Sequence, residues 1–304
     1  MLPNFIIGGT AAGGTSFLGA AIIQHPDIYL PYPMEPECHF FLKSWEYDQG
    51  IEYYQRRWFS DVQGEKAVGE RSSSYLFGGA AVAKRIRAVV PDVKLVFTLR
   101  NPIARAWGNY RFTVLQGLEE LSFVEALERE PERIAAQAGR WAEVQPHNYT
   151  GRGMYGRLLA DYLAEFPREQ VHLIKSEEMG KDPRKTFAAL FQFLQVADDF
   201  QPQMPADYVA LSVKDPVVQV KARAMFGQKI TPILESIRRE EDPSDFAGTA
   251  EERAMMKALI ANVENVKHPI PEPALALLRA KFSEDLKLLE TIVPFSIADW
   301  KEAR

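Results

Sequence analysis

Apolar and polar positions change character along the first two-thirds of the chain in a way that predicts strands set between helices. Phe5-Ile6-Ile7-Gly8-Gly9 is a short apolar run ended by glycines, the pattern of a buried strand entering a loop. Residues 16–24 read as a helix stopped by His25-Pro26. Val93 to Leu99 is a second apolar strand, and Val171 to Ile174 is a third, after the turn-like Phe166-Pro167-Arg168-Glu169. Helical patterns fill 80–89, 102–115, 123–128 and 155–166. This alternation predicts an α/β fold of three layers, a central parallel sheet flanked by helices on both faces. Beyond Gln195 the pattern turns mostly helical, with proline-rich breaks at 202–205 and 269–273. We expect one domain over 1–304, with about 200–270 as a helical elaboration.

Composition narrows the function classes. With 304 residues and 46% hydrophobic side chains, the chain can bury a large core. A net charge of −5 weighs against a general nucleic-acid binder, though a local basic pocket can still hold an anion. Cys38 is the only cysteine, so an internal disulfide is impossible and a reducing, cytoplasmic setting is expected. Met1-Leu2-Pro3-Asn4 carries no basic leader pattern, and no apolar run approaches the roughly 18 residues of a membrane span. The five histidines are scattered, with no His-Glu-x-x-His, so no metal site is expected.

Candidate chemistry begins at the first strand's end. Gly8 to Ser16 is a glycine-rich strand-to-helix turn, which aims free backbone N–H groups and a positive helix end at one spot. The nucleotide-triphosphatase version needs Gly-x-x-x-x-Gly-Lys-Ser/Thr. Counted from Gly9, Thr15 stands where that lysine belongs; counted from Gly8, Gly14 does. Hydrolysis of ATP or GTP is therefore disfavoured, while an anion site is not.

Six segments in order resemble the 3′-phosphoadenosine-5′-phosphosulfate (PAPS)-dependent sulfotransferases, especially bacterial ones similar to the heparan sulfate N-sulfotransferase domain. They are the glycine-rich turn, Glu37-Cys38-His39-Phe40-Phe41, Gly69 to Leu76, Leu99-Arg100-Asn101-Pro102-Ile103-Ala104-Arg105-Ala106, Gly151 to Tyr155, and Phe166 to Gln170. The resemblance implies a P-loop-like fold and transfer of a sulfuryl group from PAPS, without metal, to a small-molecule or carbohydrate acceptor, leaving the product PAP (adenosine 3′,5′-bisphosphate). Secondary metabolites are among such acceptors, and the 200–270 elaboration is expected near their site. Residue by residue, the turn Thr10, Ala11, Ala12, Gly13, Gly14, Thr15 and Ser16 matches the 5′-phosphate loop. Arg100 matches the 3′-phosphate site, and Arg105 falls inside the next helix as a structural residue. Gly151 to Tyr155 matches the late loop over the nucleotide, making Arg152 a second phosphate contact beside Gly153, Met154 and Tyr155. Glu37 stands at the base position, with His39 as substrate contact or alternate base. Tyr75, Phe77 and Trp107 either wall an acceptor pocket or belong to the core.

Three positions depart from the family. Ala12 replaces a loop lysine, Gly108 replaces a serine of the 3′-phosphate site, and Phe112 replaces a histidine. A charged hydrogen bond is worth roughly 1.5–3 kcal/mol, so these losses matter. Arg71 sits where many relatives place a lysine and is the expected substitute; Lys43 is a more distant one. The alternative is a catalytically weak or inactive PAP/PAPS-binding protein of the same fold.

Overall fold

The computed structural model describes residues 1–204 and 211–302. Position 205 of the expected proline break, and 206–210 of the expected elaboration, lie outside the described residues. Five parallel strands form one sheet: β1 (Phe5–Gly9), β2 (Ile28–Tyr29), β3 (Ala67–Arg71), β4 (Lys94–Leu99) and β5 (Val171–Lys175), in the order β2-β3-β1-β4-β5. The parallel sheet expected from the alternation is present, and β1, β4 and β5 fall where the apolar runs place them. Strands β2 and β3 were not legible. Two residues are too few to show a period, and Ala-Val-Gly-Glu-Arg reads as polar although all five residues are buried.

Strand alternation sends side chains to both faces. Phe5 and Ile7 of β1 and Val96 of β4 meet helices α1 (Thr15–Ile22) and α5 (Pro183–Leu194) through Leu18, Ile22, Phe187 and Phe191. Ile6, Leu95 and Phe97 face the other way, into the core of α2 (Gly79–Val89), α3 (Pro102–Leu115), α4 (Tyr155–Glu165) and α9 (Glu272–Glu290). From β1 the chain goes to β2 and β3 on one side, then to β4 and β5 on the other. Such a reversal opens a crevice beyond the carboxyl end of the central strand, where ligands bind in open α/β sheets.

After the sheet come α6 (Pro216–Phe226), α7 (Ile230–Arg238) and α8 (Ala250–Asn262), with their own apolar cluster around Ala222, Phe226, Ile233, Leu234 and Leu259. This layer docks on the end of α3: Gln219 and Arg223 donate to the Leu115 and Gln116 carbonyls, both at 3.0 Å. Gly117 ends α3 with φ at 65°, and a Cβ there would lie 2.3 Å from the Gln219 oxygen. Only glycine allows that approach.

Candidate active site

The turn after β1 is tied to its neighbours before any ligand arrives. The Thr10 N–H donates to the Thr98 carbonyl at 2.9 Å, and Thr98 Oγ1 donates back to the Gly9 carbonyl at 3.0 Å. Ser176, just past β5, donates to the Gly13 carbonyl at 2.8 Å. Gly14 opens α1 with φ at 90°, and a Cβ there would meet Ser176 and Met179 at 3.0 and 2.8 Å. Among the described residues, the amides of Gly14 to Phe17 have no protein acceptor, as expected of a helix's first turn. Thr10 and Thr15 are buried beneath the loop, while Ala12 and Ser16 face solvent.

On the β4 side, Arg100 donates to the Ala12 carbonyl at 3.2 Å. A Cβ on Gly108 would lie 3.4 Å from Ala12 Cβ and 3.6 Å from Arg100 Nη1, so the three line one corner. Asn101 holds that corner by capping α3, its Oδ1 accepting from Ile103 and Ala104 at 2.9 and 3.2 Å. Tyr155 is fully buried, and Gly153 packs on Phe282 and Pro102. Arg105 is buried and donates to Asn109 and the Tyr149 carbonyl, as its expected structural role requires. Phe112 is half exposed on the outer part of α3.

On the β3 side stands Arg71, only 4% exposed. Its Nη1 donates to Ser16 Oγ at 3.1 Å and to Glu37 Oε1; its Nη2 donates to the Met34 carbonyl at 2.9 Å and to Glu35 at 2.6 Å. Its Nε has no partner among the described residues. Glu37 Oε2 accepts from the Ser73 N–H and Oγ, both at 2.8 Å, and lies 3.0 Å from His39 Nε2. Burial pushes the Glu37 carboxyl up, but His39, Arg71 and Ser73 together outweigh it and hold it at about 2. His39 Nδ1 is buried without a partner among the described residues.

Arg152 belongs to this second group. It donates to Ser74 at 3.1 Å and to the Val144 carbonyl, and its guanidinium lies 4.3 Å from the Phe77 ring centroid. Burial, then the charge of Arg105, bring it down to about 9, and Glu37 is near enough to oppose them. Lys43 lies half-buried over Trp45, 5.9 Å from the ring centroid. Tyr75 is core, while Trp107 stacks on Tyr110.

The structure therefore brings the turn, Arg100 and Gly108 together at one end, and Arg71, Glu37, His39 and Arg152 at the other. Ser73, Ser74 and Ser176 were missed as site residues. Ser73 and Ser74 lay inside a quoted motif; the signal for Ser176 was its place directly after a strand's carboxyl end. Among the described residues no cluster of three or more His, Cys, Asp or Glu is placed to hold a metal ion, and no helix is long and apolar enough to cross a membrane.

A model of the sulfotransferase domain matches residues 2–214. Human heparan sulfate glucosamine 3-O-sulfotransferase 3B1 is 29% identical over 193 residues, 64% of this chain and 46% of its own length. The bifunctional heparan sulfate N-deacetylase/N-sulfotransferase 1 of Caenorhabditis briggsae is 25% identical over 203 residues, 65% of this chain and 23% of its own. The chain spans about half the length or less of these curated relatives. A crystal structure of a sulfotransferase from Alicyclobacillus acidocaldarius superposes with a TM-score of 0.69 at 28% identity, covering 99% of both chains. With the domain match over most of its length and a parallel sheet of the expected kind, this chain belongs to the PAPS-dependent sulfotransferase family.

Proposed function

We propose that the protein transfers a sulfuryl group from PAPS to a hydroxyl or amine of a small-molecule or carbohydrate acceptor, without metal. The observation that carries this is Arg71, one buried guanidinium touching both the Ser16 hydroxyl of the anion loop and the Glu37 carboxylate. The loop amides with Thr15 and Ser16 hold the 5′-phosphosulfate, Arg100 takes the 3′-phosphate in a bidentate grip, and Arg152 is a further anion contact. The acceptor atom attacks sulfur, the bond from sulfur to the 5′-phosphate oxygen breaks, PAP leaves, and the acceptor's proton passes to Glu37. Catalysis is positioning and electrostatics, as in phosphoryl transfer. Oε1 is the proton's destination because among the described residues it accepts only from Arg71, whereas Oε2 already has three donors. When Arg71 turns to the donor's anion, a charge that holds the carboxyl down is removed and Glu37 becomes a stronger base. The lone buried Cys38 fits a cytoplasmic setting.

Calorimetry with PAP and with ATP, each with and without EDTA, tests the donor. We expect PAP to bind at least about tenfold tighter, one charged hydrogen bond's worth at the 3′-phosphate, and EDTA to change nothing. Tighter ATP binding would overturn the PAPS reading of the donor. Turnover then separates an enzyme from a silent PAP binder, the reading favoured by Ala12.

A further inference from the structure

Glu70 precedes Arg71 on β3 and so points to the other face of the sheet, away from the anion site. It is fully buried, yet both oxygens are satisfied. Oε1 accepts from Tyr54 at 2.6 Å and Tyr75 at 3.0 Å, and Oε2 accepts from Ser72 at 2.7 Å. Two of these hydroxyls carry the connection onward. Ser72 Oγ accepts the His39 N–H at 2.8 Å, and the Tyr75 hydroxyl accepts the Phe41 N–H at 3.1 Å. A hydroxyl whose proton is committed to a carboxylate presents its lone pairs elsewhere, so Glu70 sets the direction from which Ser72 and Tyr75 accept. The segment needs that hold. His39 has φ at 49°, a left-handed conformation that a residue other than glycine keeps only where its surroundings impose it.

We propose that Glu70 is a positioning residue for the proton acceptor: through Ser72 and Tyr75 it imposes the backbone at 39–41 that sets His39 against Glu37. Its catalytic consequence rests on the sulfotransferase reading; the geometric claim does not. Tyr54 supplies the control, since its hydroxyl also bonds Glu70 but holds no amide of the segment.

The test compares Glu70→Gln, Ser72→Ala and Tyr54→Phe by hydrogen exchange over residues 37–42, PAP affinity and steady-state kinetics. In the first two variants we expect the amides of His39 and Phe41 to exchange at least about tenfold faster, a hydrogen bond's worth of protection. We expect kcat to fall about 10- to 100-fold, the effect of small misplacement, with the KM for donor and PAP affinity unchanged. Tyr54→Phe should leave exchange at 37–42 and kcat near wild type, even where it lowers the melting temperature. Exchange in Ser72→Ala no faster than in Tyr54→Phe would overturn the proposal, and that variant decides if Glu70→Gln does not fold. A wild-type protein that binds no PAP and turns over no acceptor would sink the sulfotransferase reading instead, and the exchange comparison would still decide whether Glu70 holds the segment.

Discussion

Glu37 is charged over the whole ordinary pH range because of its neighbours. Its folded value of about 2 lies below the 4.5 of a free glutamate, so it stabilises the fold above about pH 4.5 and that contribution is lost as pH falls toward 2. Acid unfolding followed by circular dichroism should show this loss in wild type and a shallower decline below pH 4.5 in Glu37→Gln. Turnover by a carboxylate base should stay flat from about pH 6 upward and fall about 10²–10⁴-fold in Glu37→Gln, the usual worth of a positioned base. A far larger loss in His39→Ala than in Glu37→Gln, at equal PAP affinity, would move the proton to the imidazole. Ala12 is the opposite case, a small side chain where the family carries charge. It is exposed, φ is 61°, and its Cβ adjoins the open corner at Gly108 and Arg100. Ala12→Lys should therefore fold normally and raise turnover about 10- to 100-fold, less than the roughly 10²–10³ of one contact in a dry site because position 12 is exposed. Unchanged turnover in a folded variant would mean that Arg71 already supplies that charge.

At the scale of elements, the site depends on where helices begin. Asn101 caps α3, its own N–H donates to Glu177 at 3.0 Å, and Arg100 precedes it at the strand's end. Asn101→Ala should cost about 1 kcal/mol of stability, as lost caps do. It should also weaken PAP binding by loosening Arg100, whereas Asn101→Asp should keep both. Calorimetry and thermal melts read the two effects, and a stability loss with unchanged PAP affinity would separate the cap from the anion corner. Strand β3 works by alternation: neighbours Glu70 and Arg71 leave on opposite faces, one to order a loop from beneath and one to meet the anion turn.

The largest scale adds the layer of α6, α7 and α8. Its apolar cluster is separate from the two that sandwich the sheet, and it reaches the sheet domain through the end of α3. Ile233 is fully buried there, so Ile233→Ala should destabilise by about 2–5 kcal/mol. PAP affinity should hold within about threefold while the KM for acceptor changes, since loops and added layers on a rigid scaffold set specificity. A variant that loses PAP affinity in proportion to its stability would show that the layer supports the nucleotide site rather than the acceptor side.

Local periodicity was enough for the sequence to determine strands β1, β4 and β5, the helices at 80–89 and 102–115, and the glycine-rich turn, because each of these is written in a few consecutive residues. Arg100 and Glu37 were legible as candidates only through the family resemblance of the segments that carry them. What the sequence left open depends on contacts between distant segments. Strand β3 looks polar because several partners that satisfy Glu70 and Arg71 lie far along the chain, from Tyr54, 16 positions from Glu70, to Ser16, 55 positions from Arg71. That Arg71 meets Ser16, that Arg152 joins the Glu37 end, and that Glu70 holds His39 from below were decided by sheet order and strand alternation. A buried charge is tolerated only once its partners are in place, and only the tertiary structure supplies them.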